Sequence, residues 1–136
     1  MATTDRASRK LRSFGISLAA YGIFLIALGV AGYLNNPGGA KTALLSGGVF
    51  GGIHLVWAYL WKRHPGPVRT GALVSLLVVL GASTWRGYVA WTAFLEGDPS
   101  KQFVAFLLTA MWLGTARLLV RLLTLPRPRD EGAPAQ

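Results

Sequence analysis

The chain carries at positions 14–34 the run FGISLAAYGIFLIALGVAGYL, which contains no charged residue. An α-helix needs about 20 apolar residues to cross the hydrocarbon layer of a membrane, so this run is long enough for one span. Three runs of similar length follow at 42–61, 70–95 and 102–125, and only the second of these carries a charge away from its ends. The sequence therefore predicts an all-α membrane protein with four transmembrane helices.

These four runs leave little of the 136-residue chain for a soluble domain. We expect a basic cytoplasmic arm at 1–13, a transmembrane domain at 14–125 and a disordered cytoplasmic tail at 126–136. The first run follows basic residues, as a secretory signal does, but it is too long and lacks a convincing cleavage site, so we interpret it as a retained helix. A bias toward Ala, Gly, Leu and Arg is typical of a bacterial chain and favours the inner (cytoplasmic) membrane.

The net charge of +9 reflects topology rather than nucleic-acid binding, because the basic residues follow a pattern along the chain. The arm holds four Lys or Arg, the first loop one, the second loop three, the third loop one, and the end of the fourth run with the tail four. Lys and Arg concentrate on the cytoplasmic side of short-looped membrane proteins. The pattern predicts two antiparallel hairpins with both termini cytoplasmic.

The second run contains two overlapping pairs of glycines, Gly47 with Gly51 and Gly48 with Gly52, and Gly22 gives the first run a similar small surface. Lipid tails are as apolar as leucine, so helices in a membrane associate through close packing, which small residues permit. Helix packing is the expected role of these glycines. The alternative is that they leave room for a ligand to lie against the backbone.

Arg86 is the one charge well inside an apolar run, about 12–14 Å from the outer end of its helix at 1.5 Å per residue. A cation at the membrane midplane costs roughly 2.5 kcal/mol or more, so such residues usually face a polar partner or a cavity. The alternative is a side chain that extends to the interface. None of the four runs contains Asp or Glu, so an anionic ligand is a candidate partner for Arg86.

Other polar residues lie at similar depth and are candidates for the same ligand site. His54 is about 18 Å deep in the second run, level with Tyr21 in the first. Thr109 is level with Arg86, and Ser83 is on the same side of the third helix. A lone histidine in a helix is more often a packing residue than a ligand, which is the alternative for His54.

The sequence offers no residue set for catalysis. It contains no Cys, only two His and no acidic residue at depth, which leaves no metal site of ordinary ligand count and no acid–base pair. We therefore expect a protein that is not an enzyme and that holds neither metal nor cofactor.

The first hairpin, over about a third of the chain, resembles the transmembrane protein 14 family of small membrane proteins linked to the movement of fatty acids and porphyrin precursors. The matching residues are Tyr21-Gly22, Gly29-Val30-Ala31-Gly32-Tyr33, Leu44, Gly47 and Phe50-Gly51. Arg86 is the counterpart of an arginine in the family's third helix. Pro99 here precedes Lys101, whereas in the family the proline follows the lysine. The resemblance implies a four-helix protein associated with hydrophobic anions.

Two functions follow from these observations. The first is a carrier that binds or moves a fatty acid-like or porphyrin-like amphiphile, with its anionic head near Arg86 and its tail against the Gly47–Gly52 face. The second is a structural or assembly subunit whose glycine faces bind partner helices. The expected partners are membrane lipids, an amphiphilic anion, and a second copy or another membrane protein, with no nucleic acid.

Overall fold

The computed structural model describes residues 2–38 and 41–125, and for residues 2–8 only the backbone. This part of the chain is all-helical, as the sequence predicts, and contains no strand. The helices are α1 (Ala2–Asn35), α2 (Lys41–Trp61), α3 (Pro65–Leu95), a short 3-10 helix (Pro99–Lys101) and α4 (Gln102–Leu123). The tail predicted at 126–136 lies outside the described residues.

Two helices begin well before the predicted spans, and α2 begins one residue before its own. The backbone of α1 is helical from Ala2, so the helix includes the basic arm. The other early helix, α3, starts at Pro65 rather than at Thr70. Proline suits the first turn of a helix, where its missing N–H has no helical partner to lose and its fixed φ is already helical. The prolines after Trp61 therefore separate α2 from α3 by starting a helix rather than by forming an extended turn.

Each of the four long helices contains a segment long and apolar enough to cross a membrane. These segments are Arg9–Asn35, Lys41–Trp61, Pro65–Leu95 and Pro99–Leu123. Many of their large apolar side chains point outward, including Leu45, Trp85 and Ile16. An apolar surface of this extent suits lipid better than water, and it is compatible with a multi-pass membrane protein.

The closest contact between helices joins the backbones of α1 and α2. A Cβ added at Gly51 would lie 2.6 Å from the carbonyl oxygen of Gly22, and one added at Gly47 would lie 2.7 Å from the Cα of Gly29. Neither position has room for a side chain. Gly52, in contrast, has nothing within 4 Å of the added Cβ, and the same holds for Gly48. The glycines of α2 therefore divide into a packed pair and an open pair.

The largest apolar core lies where all four helices meet, close to the connection between α2 and α3. Its buried members are Phe14, Leu18, Tyr21, Leu25, Ala58, Trp61, Val68, Ala72, Leu76, Leu118, Leu122 and Leu125. A smaller cluster of Ala90, Ala105 and Leu108 joins α3 to α4 alone, toward the opposite end. The two helix pairs are thus packed together at one end of the bundle, which we call the basic end because Arg63, Arg69 and Arg121 lie there.

We expect Gly51→Ala to lower the free energy of unfolding by about 1–3 kcal/mol, because its methyl group would overlap the α1 backbone. Gly52→Ala is the matched control. It makes the same change one residue away in open space, where alanine is a better helix former than glycine by up to about 1 kcal/mol. Unfolding in detergent micelles titrated with dodecyl sulfate and followed by circular dichroism measures both. Equal stabilities of the two variants would contradict the close contact.

Candidate functional site

A cleft of about 690 Å³ lies between the two helix pairs, away from the basic end. It forms because the large core joins all four helices at one end only, while α3 and α4 contact each other without α1 and α2 at the other. We call this the cleft end. The cleft is lined by Leu25, Leu28, Gly29, Gly32, Asn36, Thr42, Ala43, Ser46, Gly47, Phe50, Val79, Ala82, Trp85, Arg86, Val89, Ala90, Ala93, Lys101, Val104, Leu107, Leu108 and Met111.

Arg86 lines this cleft from α3. Its neighbours on the same side of the helix, Ala82, Ala90 and Ala93, also line the cleft, and their small side chains leave space around the guanidinium. Arg86 makes no hydrogen bond or ion pair with any residue that the structure describes. Arg86 is exposed, and its guanidinium donors have no acceptor among the described residues.

Lys101 provides a second cation at the cleft, from the 3-10 helix that precedes α4. Its ammonium group lies 3.9 Å from a carboxylate oxygen of Asp98, and both side chains are about half exposed. Asp98 also accepts hydrogen bonds from the backbone and hydroxyl of Ser100. The Ser100 hydroxyl lowers the pKa of the Asp98 carboxyl most, and Lys101 adds to the effect. Lys101 thus has a carboxylate partner, whereas Arg86 has none in the described part.

Tyr21 and His54 contact each other, with their rings edge to face and centroids 5.0 Å apart, but neither lines the cleft. Both are buried in the packed half of the bundle. The Thr115 hydroxyl donates to the Met111 carbonyl, so the Tyr21 hydroxyl donates to Thr115 Oγ1 at 2.5 Å. This bond links α1 to α4 across the core.

The imidazole of His54 also contacts atoms of the helices inside the bundle. Its Nδ1 donates to the carbonyl of Phe50 at 2.7 Å, which requires the tautomer protonated on Nδ1. Its Nε2 then faces the hydroxyl of Ser75 on α3 at 3.4 Å. The Ser75 hydroxyl has one proton to donate, either to Nε2 or to the carbonyl of Ala72 at 3.0 Å. Both ring nitrogens of His54 thus face atoms of the helices rather than the cleft.

Ser83 and Thr109 likewise do not line the cleft, and their hydroxyl groups make hydrogen bonds within or between helices. Ser83 is buried, and its hydroxyl donates to the carbonyl of Leu80. The Thr109 hydroxyl donates to Ala105 and accepts from the indole nitrogen of Trp91 at 3.0 Å, which joins α3 to α4. Of the five residues proposed from sequence as ligand-binding, Arg86 alone lines the cleft.

Several residues that line the cleft are not predicted from the sequence, because they come from different helices. Lys101 and Gly29 both line the cleft. From the sequence, Lys101 is only a charge in a loop, and Gly29 is only a glycine of the family motif. Their spacing along the chain gives no sign that they share a wall with Arg86. Of the predicted packing glycines, Gly22, Gly47 and Gly51 all lie in the α1–α2 contact, and Gly47 also lines the cleft.

Comparison of the chain with protein-family models, with curated proteins and with solved structures gave no match in any of the three. Within the described ranges, no three His, Cys, Asp or Glu side chains are grouped so as to hold a metal ion. The chemistry of the cleft therefore has to be derived from its own residues, which offer an apolar wall, a free guanidinium and a paired lysine.

We expect Tyr21→Phe to lower the free energy of unfolding by about 1 kcal/mol, because it removes a buried hydrogen bond and leaves Thr115 with one partner fewer. Tyr33→Phe is the control, since Tyr33 is partly exposed and its hydroxyl makes no hydrogen bond within the described residues. Dodecyl sulfate titration of both variants in micelles measures the difference. A Tyr21 variant as stable as the Tyr33 variant would show that this bond does not hold α1 to α4.

Proposed function

We propose that this protein is a small integral membrane protein that binds a hydrophobic anion, fatty acid-like or porphyrin-like, and moves it across or within the membrane. The observation that carries the proposal is the Arg86 guanidinium, which has no partner among the described residues and lines a largely apolar cleft. Arg86 is exposed on the cleft wall rather than covered by protein, and a cation at membrane depth is unfavourable without a counter-ion. A bound anion would supply that counter-ion.

The dimensions and lining of the cleft support an amphiphile as the ligand. Its volume of about 690 Å³ is within the range of roughly 300–1,000 Å³ that is usual for small-molecule sites. In this arrangement the anionic head pairs with Arg86, where a planar guanidinium binds a carboxylate through two parallel hydrogen bonds. The tail lies against the wall formed by Leu25, Gly29 and Phe50.

The same proposal places the protein in the bacterial inner membrane as two antiparallel hairpins, α1 with α2 and α3 with α4, with both termini cytoplasmic. The bias of basic residues supports this orientation. The most extensive contacts, within these same two pairs of helices, support the hairpins. We retain membership of the transmembrane protein 14 family as part of the proposal, on the sequence motifs alone.

The proposed movement is passive and involves no enzymatic step. The apolar runs contain no Asp or Glu that would couple transport to protons or sodium ions. The cleft residues that carry polar atoms offer no paired acid and base.

An assembly subunit is the second candidate, and the open glycines of α2 favour it. Gly48 and Gly52 have nothing within 4 Å of an added Cβ and lie one helical turn apart. A helix from another chain would approach closely there. In this case Arg86 would pair with a carboxylate of the partner chain rather than with a ligand.

We expect Arg86→Gln to abolish retention of the anionic amphiphile, because glutamine keeps hydrogen-bonding capacity but removes the charge. The measurement is native mass spectrometry of the protein extracted gently with its own lipids, followed by titration of the delipidated protein with a long-chain fatty acid. A loss of affinity of at least tenfold is expected. Arg63→Gln, which removes an exposed arginine at the basic end, is expected to bind normally.

A second pair of variants tests whether ligand binding depends on the free volume of the cleft. Ala82→Leu adds bulk to the wall beside Arg86, whereas Ala110→Leu makes the same change at an exposed position of α4 outside the lining. Unchanged fatty acid affinity in both Arg86→Gln and Ala82→Leu would refute the carrier. Ligand-free protein bound to one stoichiometric partner chain would instead support the assembly function.

The topology predicts that positions Lys62 and Ser100 lie on opposite sides of the membrane. The chain has no cysteine, so a single cysteine placed at either position is a clean label. We expect Ser100→Cys to react with a membrane-impermeant maleimide in cells whose outer membrane is permeabilised. Lys62→Cys is expected to react only after the inner membrane is broken. The reverse pattern would invert the orientation, and equal reactivity would contradict the hairpins.

A further inference from the structure

A second polar site lies on the surface of the bundle, at the seam between α1 and α4 at the basic end. The guanidinium of Arg121 on α4 donates one hydrogen bond to Ser17 Oγ and another, of 3.0 Å, to Ser13 Oγ on α1. Arg121 is exposed, and the two serines are partly exposed. The seam is separate from the cleft, because none of these three residues lines it.

The seam has more hydrogen-bond donors than acceptors. The Ser17 hydroxyl donates to the carbonyl of Ser13 at 3.1 Å, so its oxygen accepts from Arg121. The Ser13 hydroxyl proton has no acceptor among the described residues. Arg121 uses two of the five N–H donors of a guanidinium on the serines. The unused donors at this surface suit an anion with several acceptor oxygens.

Arg117 adds a second guanidinium to the same face. It precedes Arg121 by one helical turn, so the two side chains are neighbours on α4. Arg117 is exposed and makes no hydrogen bond or ion pair within the described part of the chain. Two adjacent arginines are the pattern that binds phosphate, because each guanidinium can hold two of its oxygens at once.

The charge around the seam is uniformly positive as far as the side chains are described. The carboxylates among them, Glu96 and Asp98, both belong to the turn between α3 and α4 at the cleft end. Arg9, Lys10 and Arg12 lie near the seam on α1, and Arg69 reaches the end of α4, where it donates to the carbonyls of Leu122 and Leu125. The resulting field attracts anions to this end of the bundle.

Exposed apolar side chains lie on the same two helices, beside the polar residues of the seam and further from the basic end. Ile16 and Ile23 on α1 and Leu113 and Val120 on α4 are all exposed. Leu113 lies eight residues from Arg121, about 12 Å further from the basic end at 1.5 Å per residue. An anion bound at the arginines would therefore have an apolar surface on its membrane side. This combination matches a lipid whose acyl chain runs inward from its headgroup, not a soluble ion.

We propose that Arg121, Arg117 and Ser13 bind the headgroup phosphate of an anionic phospholipid at the α1–α4 seam, with an acyl chain along Ile23 and Leu113. The lipid holds the two helices together from outside, next to the Tyr21–Thr115 bond that joins them inside. Basic sites between transmembrane helices recognise anionic headgroups in this way. The inference does not depend on the function of the cleft.

The test is native mass spectrometry of the delipidated full-length protein in detergent, titrated with phosphatidylglycerol and, separately, with phosphatidylcholine. We expect phosphatidylglycerol to bind at least tenfold more tightly. Arg121→Gln and Arg117→Gln are each expected to weaken its binding about fivefold, the effect of one basic residue near a lipid headgroup. Arg63→Gln is the matched control, since it removes an exposed arginine at the same end but away from the seam, and a change below twofold is expected.

Several outcomes would overturn the proposal. Equal weakening by Arg63→Gln would reduce the effect to the general charge of the basic end. Equal affinity for the two lipids would exclude recognition of a net negative headgroup. Displacement of phosphatidylglycerol by millimolar inorganic phosphate would indicate a site for a soluble anion. The Arg117 side chain makes no hydrogen bond or ion pair within the described residues, so unchanged affinity in a folded Arg117→Gln variant would also refute it.

Discussion

The backbone contact between α1 and α2 is the constraint on which the rest of the bundle depends. Because lipid gives apolar helices little reason to associate, the two helices approach until Gly22 meets Gly51 and Gly29 meets Gly47. Dispersion contacts of this kind are individually small but numerous at such short range. The resulting rigid pair presents one wall against which α3 and α4 pack.

The second pair meets that wall at one end only, and this asymmetry creates the cleft. Near the α2–α3 connection, Trp57 lies against Gly71, and Phe24 lies against Gly114. Bonds from Tyr21 to Thr115 and from Arg121 to two serines reinforce the same end. At the other end, Trp91 and Thr109 join α3 to α4 without α1 or α2. The closed end thus holds the bundle together, while the open end leaves the cleft between the two helix pairs.

The charged residues follow this division. Arg86 lies in the open half, is exposed on the cleft wall and has no hydrogen-bond or ion-pair partner within the described residues. Arg121 lies in the closed half and is anchored by hydroxyl groups on a neighbouring helix. His54, although polar and deep, belongs to the core because both of its ring nitrogens face helix atoms. Depth alone therefore does not distinguish a ligand site from a packing site.

The sequence by itself determined the number of helices and their approximate positions, because bilayer thickness fixes the length of an apolar run. It also determined that Arg86 is exceptional, because a charge within such a run has to be compensated. Only the tertiary structure decided which helix faces meet. In a membrane helix the lipid-facing side and the packed side are both apolar, so the pattern that points a soluble helix toward its core is weak. That packing alone explains why Tyr21 and His54 are buried and why Gly48 and Gly52 are open. It also explains why Arg121 contacts Ser13 and Ser17.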